Sequence, residues 1–181
     1  MPLLPIITAP DPRLKQVAKP VERVDDEVRQ LMDDMLETMH AAPGIGLAAP
    51  QVGVLKRVIV VDVAAKDDEP QPYRMANPEL VWVSDDDATY EEGCLSLPEH
   101  YADVARPAAV KVRYLDGENE IRELEADGLL ATCVQHEMDH LDGILFVDHI
   151  SALKRNMILR KLTKAKKSTK PAKEHDAAHA L

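Results

Sequence analysis

The stretch Gln135-His136-Glu137-Met138-Asp139-His140 holds the residue types of a hydrolytic metal site at a spacing that suits a helix. With 3.6 residues per turn, His136 and His140 stand one above the other on a single face, and Glu137 lies alongside. Two imidazoles converging on one point are what a divalent transition metal takes from a helix. The adjacent carboxylate can then exchange protons with a water at that ion. The competing reading is a polar helix face with two unrelated histidines, and a third ligand separates the two.

A catalytic zinc or iron site takes three protein ligands and leaves a position open. Two cysteines are available, Cys94 and Cys133. Cys133 stands one turn before His136 on the same helix, so the row Cys133, His136, His140 spans about 10 Å. Bonds of roughly 2.0 to 2.3 Å cannot gather such a row around one ion, so geometry favours Cys94. The segment around it, Tyr90-Glu91-Glu92-Gly93-Cys94-Leu95-Ser96-Leu97-Pro98, reads as a shaped loop between a glycine and a proline. A lone cysteine is more often a small buried hydrophobe.

A second unusual stretch is Gly44-Ile45-Gly46-Leu47-Ala48-Ala49-Pro50-Gln51-Val52-Gly53. Small and apolar residues dominate where a surface loop would be polar, and Gln51 is its one polar side chain. The glycines permit close backbone approach. Two readings stand open: a tight turn with a core glutamine, or the wall of a narrow pocket offering the Gln51 amide to a ligand. A nucleotide-loop reading fails, because this stretch precedes a strand instead of following one.

Elements must position these groups. Asp11 and Pro12 start a short helical turn over residues 11–18, which Pro20 stops. Apolar residues at three- and four-residue intervals predict an amphipathic helix over Asp26–Ala41, with its methionines in the core. Residues 57–64 read as a buried strand, and 75–83 as a strand region interrupted by Asn77-Pro78, with Trp82 packed. Residues 110–115 and 120–124 alternate as a hairpin across Asp116-Gly117-Glu118-Asn119. The metal-bearing helix runs over 129–141 with Gly143 as its stop, and Leu129, Cys133, His136, Glu137 and His140 on its buried face. Ser151 caps a last helix reaching residue 162, and the Lys- and Ala-rich remainder from 163 reads as disordered.

At 181 residues, 45% hydrophobic and 30% charged, the chain suits one soluble globular domain. Aromatic residues make up only 3%, so Leu, Val, Ile, Met and Ala must fill the core. The net charge of -10 is unevenly spread. Residues 151–181 hold nine basic and two acidic side chains, which leaves 13 basic and 30 acidic for residues 1–150. The body repels polyanions, which argues against a DNA partner, while the tail attracts them. Two cysteines fit a reducing compartment and leave room for a single bridge. Prolines 2, 5 and 10 break any signal peptide, and no apolar run approaches the roughly 18 residues of a membrane span. The expected location is the cytoplasm, with no membrane partner.

The three motifs together, Gly44 to Gln51, Glu92 to Ser96 and Gln135 to His140, resemble in order and spacing those of bacterial peptide deformylase. The resemblance extends over nearly the whole chain up to the tail. It implies an α+β fold with antiparallel strands packed around a central metal-bearing helix, flanked by N-terminal and C-terminal helices. It further implies a catalytic domain over residues 1–165 with a basic tail at 166–181. The activity implied is hydrolysis of the N-formyl group from the formyl-methionine of nascent polypeptides, releasing formate. By the same resemblance Cys94, His136 and His140 hold Fe2+, with Zn2+ or Ni2+ able to occupy the site, and Glu137 carries the proton. The Gln51 amide and the Leu95 backbone N–H would receive the oxyanion. Gly44, Ile45, Gly46, Tyr90, Leu129 and Cys133 would surround the methionine and its peptide backbone. Tyr101 and Tyr90 depart from the residues common at their positions, so preference beyond the first residue stays open. For the basic tail, a solvated face competes with docking on the ribosome. Two other functions compete: a zinc peptidase built on His136, Glu137 and His140, and a structural metal site without catalysis.

Overall fold

The computed structural model describes residues 3–167. A 3-10 turn at Pro12–Lys15 precedes helix α1 (Asp26–Ala41), the short strand β1 (Gly46–Ala48), a second 3-10 turn at Ala49–Val52 and strand β2 (Val58–Val61). Strands β3 (Tyr73–Val83), β4 (Asp87–Cys94), β5 (Leu97–Pro107), β6 (Ala109–Leu115) and β7 (Ile121–Asp127) follow. Helix α2 (Gly128–Leu141), a 3-10 turn at Phe146–His149 and helix α3 (Ala152–Lys167) complete the described chain. The strands form a five-stranded sheet in the order β1-β2-β3-β6-β7 and a separate β4-β5 hairpin, antiparallel throughout. This is the α+β arrangement expected, with α2 at its centre.

Strand β2 shows why the layers stack as they do. Its four residues are fully buried, so both faces need a cover. Val58 and Val60 point to α1 and pack with Met32, Met35 and Met39. Ile59 and Val61 point to α2 and pack with Ala131, Cys133 and Val134. Alternation of period two thus builds two cores from one strand. The helix α1 starts where expected, because the Asp25 side chain accepts the Val28 N–H at 3.0 Å and Asp26 and Glu27 fill its first turn. A third core joins the β4-β5 hairpin to the chain ends through Leu14, Leu97, Val104, Phe146 and Leu162. Helix α2 therefore lies between the large sheet and the hairpin.

Several sequence readings change here. Residues 90–98 are no loop: they end β4, turn at Leu95-Ser96 and begin β5. The stretch 44–53 is likewise more regular than expected, since β1 pairs with β2 through Gly46–Val61 and Ala48–Ile59. Trp82 is not packed but 53% exposed. A register shift between Leu80 and Trp82 breaks the alternation along β3, so the indole joins Lys111 on the solvent side. Leu129 is 41% exposed instead of buried, because the first turn of α2 stands at the rim before the helix passes between the layers. Helix α3 continues past residue 162 to Lys167, through a segment expected to lack structure. The rest of the expected tail, residues 168–181, lies outside the described residues. Both cysteines are free. No described helix is long and apolar enough to cross a membrane.

Candidate metal centre and active site

Helix α2 delivers three of the key side chains. It ends after Leu141 because Gly143 takes a left-handed φ of +73°, which lets the Gly143 N–H reach the His140 carbonyl and the Ile144 N–H the Asp139 carbonyl. From Ala131 to Glu137 every residue is buried, and so is His140. One imidazole stands above the other, edge to face, with ring centroids 5.1 Å apart.

Cys94, the last residue of β4, meets them from the hairpin. Its Sγ lies 3.4 Å from His140 Nε2, and one donor atom each from Cys94, His136 and His140 falls within 4.8 Å of the others. Tetrahedral bonds of about 2.3 Å to sulfur and about 2.0 Å to nitrogen would set such neighbours roughly 3.5 Å apart. The donor set therefore fits a transition metal. Cys133 takes another place: its thiol donates weakly to the Ile45 carbonyl at 3.5 Å, away from the cluster.

Behind His136 stands a polar layer to which the sequence reading assigned no role. Glu92, two residues before Cys94 on β4, is fully buried and accepts two hydrogen bonds from Arg106, at 2.7 and 2.9 Å. Its Oε1 also lies 2.9 Å from His136 Nδ1. Burial raises the Glu92 carboxyl, yet the bonds from His136 and Arg106 prevail and hold it below its ordinary value. An ionised carboxylate only accepts, so Nδ1 carries the proton and Nε2 presents its lone pair to the cluster. Arg106 further donates to Asp139 at 2.8 Å, and Asp139 meets His149 at 2.7 Å. Glu92 had a legible signal, since residues two apart on a strand share a face, but the loop reading of this segment hid it. Arg106 had none.

In front of His136 the polar atoms are unpaired. Among the described residues, His136 Nε2 and both Glu137 carboxylate oxygens are buried there with no hydrogen-bond partner, and so, on its own ring, is His140 Nδ1, the nitrogen that does not face Cys94. Burial first, and the charge of Glu92 second, raise the Glu137 carboxyl well above its ordinary value. Burial and His136 depress His140, which keeps its imidazole neutral and able to ligate. Burial and Glu137 push the Cys94 thiol up, so its thiolate needs a cation beside it. Orphaned lone pairs and a thiol awaiting a positive charge match what a bound divalent ion supplies.

The Gly44 to Gln51 stretch closes the other side. A Cβ on Gly46 would sit 2.8 Å from Cys133 Sγ and from Glu137 Cγ, so only glycine lets β1 approach α2 this closely. Gln51 is wholly buried; its Oε1 accepts the Ala48 N–H at 2.9 Å, which turns Nε2 toward Ser96 Oγ at 3.1 Å and Cys94 Sγ at 3.4 Å. Leu95 touches Gly44, where a Cβ would meet its Cδ1 at 2.8 Å. Tyr90 Oη reaches the start of α2, 3.7 Å from a Cβ on Gly128, beside the exposed Leu129. Tyr101 lies apart at the surface, 37% exposed.

The chain matches the polypeptide deformylase family over residues 3–156. It is 60% identical over 168 residues to the peptide deformylase of Phenylobacterium zucineum, covering 93% of this chain and 99% of that one. To the enzyme of Methylocella silvestris it is 61% identical over 170 residues, covering 92% and 87%. The crystal structure of the Ehrlichia chaffeensis peptide deformylase in complex with actinonin superposes with a TM-score of 0.88 at 42% identity, over 93% of this chain and all of that one. A plant peptide deformylase gives a TM-score of 0.85 at 34% identity, over 95% and 96%. With this fold, this Cys/His/His cluster and these relatives, the chain belongs to the polypeptide deformylase family, metal-dependent hydrolases that remove the N-formyl group from nascent polypeptides.

Proposed function

We propose that Cys94, His136 and His140 hold the metal ion of this deformylase, with Fe2+ in the cell and Zn2+ or Ni2+ as able substitutes. The observation that carries this reading is the convergence of three donor atoms within 4.8 Å beside an unpaired, buried Glu137. When bound, such an ion supplies Lewis acidity, polarising a carbonyl and lowering the pKa of water. Thiolate with two imidazoles suits iron, nickel or zinc, so the ligands alone do not select among them.

The chain's own groups then divide the work. Glu137, buried and unpaired beside the cluster, takes the proton of the attacking water and passes it to the departing methionine nitrogen. Water adds to the formyl carbon, the carbon–nitrogen bond breaks, and formate leaves with a free N-terminus. Gln51 and the Leu95 backbone N–H donate to the formyl oxygen as it gains negative charge. The Ala48 bond to Gln51 holds that amide in place beforehand. Gly44, Ile45, Gly46, Tyr90, Leu129 and Cys133 surround the methionine side chain and backbone, and β1, an edge strand, offers its backbone to an extended peptide.

The test is anaerobic purification with metal analysis and formate release from formyl-Met-Ala-Ser. Cys94→Ser is expected to lose both metal and turnover; retention of both would sink the ligand assignment. Residues 1–165 form the catalytic domain in this reading, acting in the cytoplasm, and the basic tail at 166–181 helps dock it on the ribosome. Truncation after Leu162 should weaken ribosome co-sedimentation most at low salt, and unchanged binding would refute the docking role.

A further inference from the structure

The Gln51 amide carries two N–H hydrogens, and both are engaged. Its Oε1 accepts the Ala48 N–H at 2.9 Å, which settles the orientation of the amide. Nε2 is therefore the donor, toward Ser96 Oγ at 3.1 Å and toward Cys94 Sγ at 3.4 Å. A third acceptor, the formyl oxygen of the deformylase reading above, can take a hydrogen only where one of these two bonds yields. We infer that the Ser96 hydroxyl is the positioning group of the Gln51 amide: it keeps one N–H throughout, so that the other passes from the Cys94 sulfur to the formyl oxygen. The inference rests on the deformylase reading and deepens it.

Three observations carry it. The first is the unequal strength of the two bonds. A 3.1 Å contact to a hydroxyl oxygen lies in the ordinary range of N–H···O bonds, whereas sulfur is a weak acceptor. The bond to sulfur is thus the one that yields to an oxygen gaining negative charge, which is a stronger acceptor than either. The second is that Ser96 is itself fixed. It is wholly buried in the turn between β4 and β5, its carbonyl accepts the Ala9 N–H at 2.8 Å, and its own N–H donates to Cys94 Sγ at 3.4 Å. The hydroxyl therefore projects from a backbone that cannot drift.

The third is where Ser96 stands. The same turn carries the Leu95 N–H, the other donor assigned to the formyl oxygen, while Gln51 comes from the 3-10 turn 45 residues away in the chain. Ser96 thus ties two donors from separate elements into one unit. Without its hydroxyl, the Gln51 amide keeps the Ala48 bond but pivots about it, and its remaining N–H loses its aim at the sulfur and at the formyl oxygen alike.

The experiment uses full-length, metal-loaded protein and formyl-Met-Ala-Ser. Ser96→Ala removes the hydroxyl and leaves both backbone bonds of Ser96 in place. It should lower kcat by about five- to thirtyfold with KM within about twofold, the loss of one aimed hydrogen bond in the transition state. In a Gln51→Ala background the same change should cost less than about twofold, because the hydroxyl then has no amide to hold. Equal losses in the two backgrounds, or wild-type kcat in Ser96→Ala, overturn the inference. The second readout is the thiolate-to-metal charge-transfer band of the Co2+-loaded protein without substrate. A hydrogen bond to sulfur lowers the energy of its lone pairs, so Ser96→Ala and Gln51→Ala should both move the band to lower energy. A band that stays in place in Ser96→Ala, or moves to higher energy, overturns the inference whatever the turnover. Absence of formate with the wild type would overturn the deformylase reading and this inference with it; the other adverse outcomes strike this inference alone.

Discussion

Two polar regions meet back to back across the ring of His136, and they are opposites. On the Nδ1 side, Glu92, Arg106 and Asp139 form a connected set in which each charged group has a partner. On the Nε2 side, the ring nitrogen and both oxygens of Glu137 are buried without a hydrogen-bond partner. Two glutamates, both fully buried, consequently behave in opposite ways: Glu92 is held low and Glu137 is driven high. Unpaired buried polar atoms are rare in folded proteins because each costs stability. Their concentration on one side of one ring marks that side as the place where ion, water and substrate belong. The paired side holds the ring that faces them.

That contrast can be broken most directly at Glu137. Glu137→Gln should cut formate release by about 10²- to 10⁴-fold while leaving bound metal in place. Its thermal midpoint should equal or exceed that of the wild type, because an unpartnered carboxyl is replaced by a neutral amide. A marked loss of stability would show that Glu137 is structural after all. Arg106→Leu tests the opposite side and should cost about 3 to 5 kcal/mol in urea unfolding, since it strands buried Glu92 without its cation. A loss under about 1 kcal/mol would mean that the layer behind His136 is not what holds the helix to the hairpin.

Between the two lies Gly46. Gly46→Ala forces a methyl group into Cys133 and Glu137, and should cost about 1 to 3 kcal/mol of stability together with a raised KM. Unchanged values would show that β1 can retreat from α2 freely. The mildest test compares the buried Arg106–Glu92 pair with the exposed Arg122–Asp116 pair at 2.8 Å. Burial opposes ionisation of Asp116, but bonds from Arg122 and from the Glu120 and Glu118 N–H groups together outweigh it and hold its carboxyl below the usual value. A depressed folded-state pKa stabilises above the unfolded value near 4 and loses that contribution as pH falls through the folded one. The melting difference between wild type and Asp116→Asn should thus be small at pH 6, begin to shrink near pH 4 and vanish only below the lowered folded-state value. A difference undiminished at pH 2 would contradict this linkage.

Much of this was legible in the residues. Periodicity placed α1 at Asp26–Ala41 and α2 within a residue of Gly128–Leu141, because caps and spacing act within a few residues. Spacing on one helix excluded Cys133 as third ligand, and the structure brings Cys94 to the two histidines. Order was underestimated at residues 44–53 and 90–98. The first holds a three-residue edge strand and a 3-10 turn, the second the tight turn that joins β4 to β5, and small residues and glycines there weaken the alternation on which a strand reading depends. Trp82 was misjudged because a single register shift reverses which side of a sheet a residue faces.

The sequence by itself determined the chemistry on offer: a thiol, two imidazoles one turn apart and a carboxylate between them, with glycines where backbones must approach. These are properties of residue type and local spacing, and they survive without a fold. Only the tertiary structure decided which polar groups are paired. Arg106 and Glu92 are fourteen residues apart and on different strands, and Asp139 comes from the helix between the layers. Whether a buried carboxylate lies low and structural or high and reactive depends on neighbours that long-range packing supplies, and that alone separated Glu92 from Glu137.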